Sequence, residues 1–279
     1  MTSTNRKKTG PKVSVIVTTY NWPKALDCVL HALQNQDYDN YEVIVADDGS
    51  KPETKSLIDR YKALPHFNLK HYWQEDVGFR VSKARNGAFN TSTGDYIIFT
   101  DGDCIPLPNF IRKHVEYSEA GYFTTGRRSY IRKPMTQRIF KNGFHIETWG
   151  RSVWFLLSLC AQANRPFQFL PLLQSRSSRS AYQDKWERAQ TCNLGVSRKD
   201  FISVGGFDER YEGYGQEDSD FVIRLLRSGI KRINMEYVGP VLHLYHSRKQ
   251  SYTGPNKNAD YFSETFSGSN TMAKKTSVG

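Results

Sequence analysis

The octapeptide Tyr96-Ile97-Ile98-Phe99-Thr100-Asp101-Gly102-Asp103 constrains the fold of this 279-residue chain more than any other stretch. It opens with four strand formers in a row, the pattern of a buried strand, and delivers two carboxylates to that strand's C-terminal end. Gly102 between them lets the backbone turn tightly and approach a ligand closely. Asp-Gly is also an ordinary turn dipeptide, so the tripeptide alone leaves a turn and a metal site both open. Two Asp one residue apart, at the mouth of a parallel sheet, suit a divalent cation that also holds a phosphate.

The chain before this strand alternates. Lys12–Tyr20 reads as a first strand that ends in polar residues, and Asn21-Trp22-Pro23 stops it. Apolar residues at helical spacing predict a helix over Lys24–Gln34, then a strand over Tyr41–Ala46 ending in Asp47-Asp48. A helix over Glu53–Leu64, a short strand over Leu69–Trp73 and a helix over Ser82–Asn90 follow. Strands alternating with helices predict an α/β fold, a mixed but mostly parallel central sheet flanked by helices. Thr18-Thr19-Tyr20, Asp48 and Asp101-Gly102-Asp103 should then converge, because open α/β sheets bind ligands beyond their strands' carboxyl ends. There is neither a GxGxxG nor a GxxxxGK[ST] run, so a dinucleotide fold and a P-loop are unsupported.

After a predicted helix over Pro106–Tyr117 and a strand over Tyr122–Thr125, the composition changes. Residues 127–190 hold twelve Lys or Arg against three acidic residues, most of the chain's formal net charge of +11. Short apolar-aromatic runs at Trp149 and Trp154–Leu157, then Phe167–Leu173, interrupt that charge. Two readings stay open: a peripheral contact with an anionic membrane surface, or a helical insertion packed on the core. Thr191–Ser197 resumes as a strand, and a helix over Phe221–Ser228 should start inside the acidic cluster Glu217-Asp218-Ser219-Asp220. Carboxylates there are also what the helix dipole favours. Val238–His246 reads as a strand. The organisation expected is one domain over 1–250: a first half (1–126), the basic insertion (127–190) and a second half (191–250), which the resemblance described below would make the nucleotide-binding and acceptor halves. A mobile Ser/Thr/Asn-rich tail over 251–279 should follow. Four scattered cysteines fit a reducing compartment, and no apolar run approaches a membrane span. A soluble or peripheral, intracellular protein is expected, and the resemblance described below would place it on the inner face of the cytoplasmic membrane.

With these motifs in order, the chain resembles the family 2 glycosyltransferases of the GT-A fold. The resemblance rests on Val13–Asn21, Glu42–Ser50, Asp101–Asp103 and Gly205–Leu225. The last stretch is also similar to the β-1,4-galactosyltransferases. There, a Gly-Trp-Gly-Gly-Glu-Asp-Asp-Asp run precedes a His-Ser-Arg segment, and Tyr214–Asp220 and His246-Ser247-Arg248 are the counterparts here. The resemblance implies transfer of a hexose from a UDP-sugar, with inversion and a metal ion, to a growing, lipid-linked saccharide. It implies that Thr18, Tyr20 and Asp48 cradle the base, that Arg85 lies near base and phosphate, and that Asp101 with Gly102 faces the ribose. Asp103 and His246 would hold Mn²⁺ or Mg²⁺, with His243 a competing ligand. On one strand, His243 and His246 would point to opposite faces, so that only one would bind. Asp218 would be the general base, Glu217 would orient the acceptor, and Tyr214, where the galactosyltransferase pattern has Trp, would flank it.

Other classes predict features that are missing. A sugar nucleotidyltransferase, the runner-up, would carry a Gly-rich basic loop after the first strand, and Thr18–Lys24 is not one. A binding module without catalysis would have lost the Asp-Gly-Asp or the Glu-Asp pair. A nucleic-acid-binding protein would leave the acidic strand ends unexplained, and no nucleic-acid partner is expected.

Overall fold

Strand and helix alternate through the first half: β1 (Val13–Thr19), α1 (Pro23–Gln34), β2 (Tyr41–Asp47), α2 (Pro52–Lys62), β3 (Leu69–Trp73), α3 (Val81–Thr91), β4 (Tyr96–Asp101) and β5 (Cys104–Pro106). The computed structural model describes residues 10–247 and 257–279. The chain continues through α4 (Phe110–Tyr117), β6 (Tyr122–Thr125), β7 (Arg128–Tyr130), α5 (Lys133–Asn142), α6 (Arg151–Leu159) and α7 (Arg176–Ser180). It closes with β8 (Asn193–Ser197), α8 (Arg198–Ser203), α9 (Glu217–Arg227), β9 (Lys231–Asn234), β10 (Val241–His243) and α10 (Lys257–Ser267).

Seven strands form one mixed sheet in the order β3-β2-β1-β4-β8-β6-β9. β8 runs antiparallel to both its neighbours, and the other pairs are parallel. Each central strand is buried on both faces, which is why its sequence is a near-continuous apolar run rather than an alternation, broken at Ser14 and Glu42, where Ser14 Oγ donates to Glu42 Oε1 at 2.8 Å. Val13, Val15 and Val17 of β1, with Val43, Val45 and Ile98, face one core, shared with α1. Ile16, Ile44, Ile97 and Phe99 face the other, shared with α3 and α9. The α1 residues Ala25, Leu26, Val29, Leu30 and Leu33 are buried, as their spacing predicts.

A second sheet, β5-β10-β7, positions the metal-type side chains. Its register pairs His243 with Cys104, and Leu244 N–H donates to the Asp103 carbonyl at 2.9 Å, so His243 arrives beside Asp103. The strand expected over Val238–His246 is only Val241–His243. His246 therefore lies past the strand, and the opposite-face argument does not apply to it.

Two further expectations change. The apolar runs of 127–190 divide: Trp154 and Phe169 are buried, while Leu156, Leu159, Phe167 and Leu172 are exposed. The tail expected to be mobile is packed from Lys257 onward. In α10, Phe262 and Phe266 stand 5.4 and 6.4 Å from the Trp186 ring, and Thr265 Oγ1 donates to the buried Asp220 at 2.6 Å. The final residues return to the domain: Ala273 N–H donates to the Val204 carbonyl and Glu209 N–H to the Lys275 carbonyl. Its polar composition hid these few anchoring contacts. The basic start, Arg248 and the first part of the tail lie outside the described residues.

Candidate active site

A cleft opens at the carboxyl ends of β1, β2 and β4. It is lined by Thr18, Tyr20, Asp48, Arg85, Asp101, Gly102, Asp103, Tyr214, Glu217, Asp218 and His246, every residue singled out above, and also by His243. Register does the first part of the positioning. Thr18 pairs with Asp101 across β1 and β4, and its Oγ1 donates to Asp101 Oδ1 at 3.0 Å. Gly102 donates its N–H to the Thr18 carbonyl at 2.7 Å, and an added Cβ would stand 2.8 Å from that oxygen. Only glycine fits this approach.

Asp48, just past β2, is buried. Its two oxygens accept from Gln74 Nε2 at 2.6 Å and from the Arg80 N–H at 2.7 Å. Burial pushes its carboxyl above the ordinary range, against those two donors. Tyr20 OH donates to Asp76 Oδ2 at 2.9 Å at the cleft's edge.

Arg85 is neither a helix-surface arginine nor an isolated cation. It is only 4% exposed and projects from α3 into three carboxylates: Asp218 Oδ1 at 3.2 Å, Glu217 Oε1 at 3.4 Å and Asp101 Oδ1 at 3.6 Å. Its guanidinium lies 5.1 Å from the Phe207 ring centroid, on an apolar floor. It thus couples the end of β4 to the start of α9, two regions more than a hundred residues apart.

Gln216, in the left-handed region at φ 74°, turns the chain into α9, whose first two residues are Glu217 and Asp218. Asp218 is held from behind by Thr191, whose Oγ1 donates to Oδ1 at 2.6 Å and whose N–H donates to Oδ2 at 3.2 Å. Burial and the neighbouring Asp218 carboxylate push the Glu217 carboxyl up to about 8, with Arg85 opposing. Glu217 can therefore hold its proton near neutrality and donate a hydrogen bond where an ordinary carboxylate could only accept one. Tyr214, 78% exposed, stands on the lip with its ring 6.4 Å from Phe79.

The pKa of Glu217 has a consequence for stability. A carboxyl raised on folding from 4.5 to about 8 contributes stability that is present below pH about 4.5 and is lost as pH rises through 8. Glu217→Gln is expected to flatten the pH dependence of urea unfolding in that window. Equal slopes for the two proteins would refute the assignment.

Asp103, His243 and His246 form a separate cluster at one end. His246 Nε2 and His243 Nε2 stand 3.4 and 3.6 Å from Asp103 Oδ2, and the three donor atoms lie within 4.8 Å of one another. Ligands about 2.1 Å from one ion at right angles would stand about 3 Å apart, so the set fits a divalent cation. Burial holds His243 below the ordinary imidazole range, in the neutral form that ligates. The Trp22 ring packs edge-on to His246 at 5.7 Å.

Sequence reasoning missed Arg128, Thr191 and Phe79. Arg128, on β7, lines the cleft opposite Arg85, yet in the sequence it is one of twelve basic residues in a segment read as an insertion. No local pattern marks it, because its place depends on β7 pairing with β10.

Comparison with known proteins places this geometry in context. The model of glycosyl transferase family 2 matches residues 14–170, and that described as the N-terminal domain of galactosyltransferase matches residues 173–247. The chain is 28% identical over 233 residues to a validoxylamine A glucosyltransferase of Streptomyces hygroscopicus subsp. jinggangensis, covering 79% of this chain and 52% of that protein. The chain thus spans about half the length of this relative. Among solved structures, TarS of S. aureus with UDP-GlcNAc superposes with a TM-score of 0.61 at 20% identity, covering 91% of this chain and 64% of that one. A mannosyltransferase of Pyrobaculum calidifontis, in complex with GDP-Man and Mn²⁺, gives 0.59 at 21% identity, covering 86% of this chain and 59% of that one. At these identities the two structures speak for the fold alone.

Proposed function

The chain belongs to glycosyl transferase family 2, and from that premise we propose that it transfers a hexose from a UDP-sugar to a hydroxyl of a growing saccharide, inverting the anomeric carbon. The observation that carries this reading is the cleft's division of labour. Acidic strand ends, a His-His-Asp cluster and a Thr-supported carboxylate at the start of α9 line one cleft. The UDP-GlcNAc and GDP-Man complexes of the two structural neighbours support a nucleotide-sugar donor.

In this mechanism Asp218 accepts the proton of the acceptor hydroxyl as that oxygen attacks C1. The bond from C1 to the diphosphate breaks, and its electron pair leaves with UDP. Thr191 holds Asp218 in position, and protonated Glu217 donates a hydrogen bond to the acceptor sugar. Arg85 and Arg128 offset negative charge along the cleft. Thr18, Tyr20 and Asp48 line the base end, and Asp101 with Gly102 lies towards the ribose. Asp103, His243 and His246 would hold a divalent cation, which supplies Lewis-acid neutralisation of the diphosphate. Two ring nitrogens favour Mn²⁺ over Mg²⁺, which prefers oxygen ligands. Tyr214 on the lip is placed to stack on a sugar ring.

Thermal shift across a panel of nucleotide sugars, with and without Mn²⁺, tests the reading. One UDP-sugar should stabilise the protein only with the metal, and EDTA should abolish that stabilisation. Asp103→Ala and His246→Ala should each weaken metal-dependent UDP binding at least about tenfold, a loss of about 1.4 kcal/mol. No response to any nucleotide would overturn it.

A lipid-linked acceptor at a membrane surface is supported by one face of α6. Val153, Leu156 and Leu159, three residues apart, are exposed on it, with Phe167 and Leu172 nearby in sequence and also exposed. No helix among the described residues is long and apolar enough to cross a membrane, so this contact would be peripheral. Leu156→Asp with Leu159→Asp should reduce binding to vesicles containing anionic lipid several-fold without lowering thermal stability. Unchanged binding would remove the membrane from the proposal.

A further inference from the structure

Away from the cleft, three side chains converge between α1 and the turn that joins α5 to α6. His31 lies in the last turn of α1, and His145 and Glu147 lie on that turn. The Glu147 side chain is 3% exposed, against 30% for His31 and 59% for His145. His31 Nδ1 is 2.7 Å from Glu147 Oε1, and His145 Nδ1 is 3.9 Å from the same oxygen. The two imidazoles stack with centroids 3.7 Å apart and planes 20° from parallel.

A buried carboxylate needs a counter-charge. Among the described residues the ion pairs of Glu147 are with these two histidines only. Two stacked imidazolium rings would repel each other, so the pair is a poor source of two full charges for one carboxylate. The buried carboxylate therefore faces two imidazole nitrogens on the solvent side, and all three donor atoms lie within 4.8 Å of one another.

We propose that His31, His145 and Glu147 bind a divalent cation of the Zn²⁺ type, at a site separate from Asp103, His243 and His246. Tetrahedral ligands at 2.0–2.2 Å stand roughly 3.4 Å apart, between the two separations found here, and on binding the two rings turn out of their stack so that each ring plane holds the ion. The exposed ring edges leave the fourth position to water. Binding replaces the hydrogen bond between His31 Nδ1 and Glu147 Oε1 with bonds from both atoms to the ion. The ion clips α1, whose preceding residue Trp22 lines the cleft, to the segment that leads into the exposed face of α6. It stabilises that junction by mass action.

Equilibrium dialysis against Zn²⁺, with Co²⁺ absorption as a second readout, tests this in the Asp103→Ala/His246→Ala protein, where the cleft cluster is disabled. That protein should bind one equivalent and gain thermal stability from it. Adding His145→Ala, a half-exposed position whose replacement spares the core, should abolish the bound equivalent, the Co²⁺ band and the thermal shift. Absence of bound Zn²⁺ in the first protein, or an unchanged stoichiometry in the second, would overturn the site. Neither result bears on the proposed transfer reaction.

Discussion

Asp218→Asn is expected to lower turnover about 10³-fold while UDP-sugar affinity stays within a few-fold of wild type. Asn keeps the shape and one acceptor oxygen, so the 2.6 Å hydrogen bond from Thr191 Oγ1 survives. It loses the ability to take a proton. The substitution also leaves two carboxyl groups, those of Asp101 and Glu217, beside Arg85, so the fold should tolerate it. Isothermal titration with UDP and single-turnover kinetics separate the two effects. A large loss of UDP affinity with unchanged turnover would assign Asp218 to donor binding, and another group would have to be the base. Glu217→Gln should be milder in turnover, because an amide still donates a hydrogen bond in place of a protonated carboxyl.

The first half of this architecture is written locally. A strand buried on both faces is mostly apolar, so β1, β2 and β4 are visible as runs, and the polar residues that end them mark the cleft. Convergence of Thr18, Asp48 and Asp101 follows from strand order alone. The second half is different. Whether His243 and His246 can both approach Asp103 depends on where β10 ends, and strand ends are set by pairing with β5 and β7 rather than by the residues of Val238–His246. Arg128 is hidden for the same reason. Arg85 could be placed on a helix from its neighbours, but its three carboxylate partners come from residues 101, 217 and 218, which no spacing rule connects. The tail was misread because composition averages over residues. Phe262, Thr265 and Phe266 make the contacts, while the Ser, Thr and Asn around them set the average.

Arg85→Met should be the most damaging single substitution for the fold of the cleft, costing about 3 kcal/mol of stability and abolishing measurable transfer. The side chain is 4% exposed, and its removal leaves Asp101, Glu217 and Asp218 facing one another without a cation. Desolvation already pushes Asp101 and Glu217 upward, and Arg85 is what opposes it in both. Without the guanidinium those carboxyl groups would hold their protons to higher pH. The deficit relative to wild type should therefore be smallest in acid, where the carboxyl groups are neutral, and grow as pH rises through 8. Urea unfolding of both proteins across that range measures it. Arg85→Lys separates charge from geometry. An ammonium restores much of the stability but not the planar fork that reaches β4 and α9 at once, so turnover should stay low. If Arg85→Met unfolds within 1 kcal/mol of wild type at every pH, the carboxylates are too well solvated to need a partner. The coupling between the end of β4 and the start of α9 would then have to run through the backbone instead.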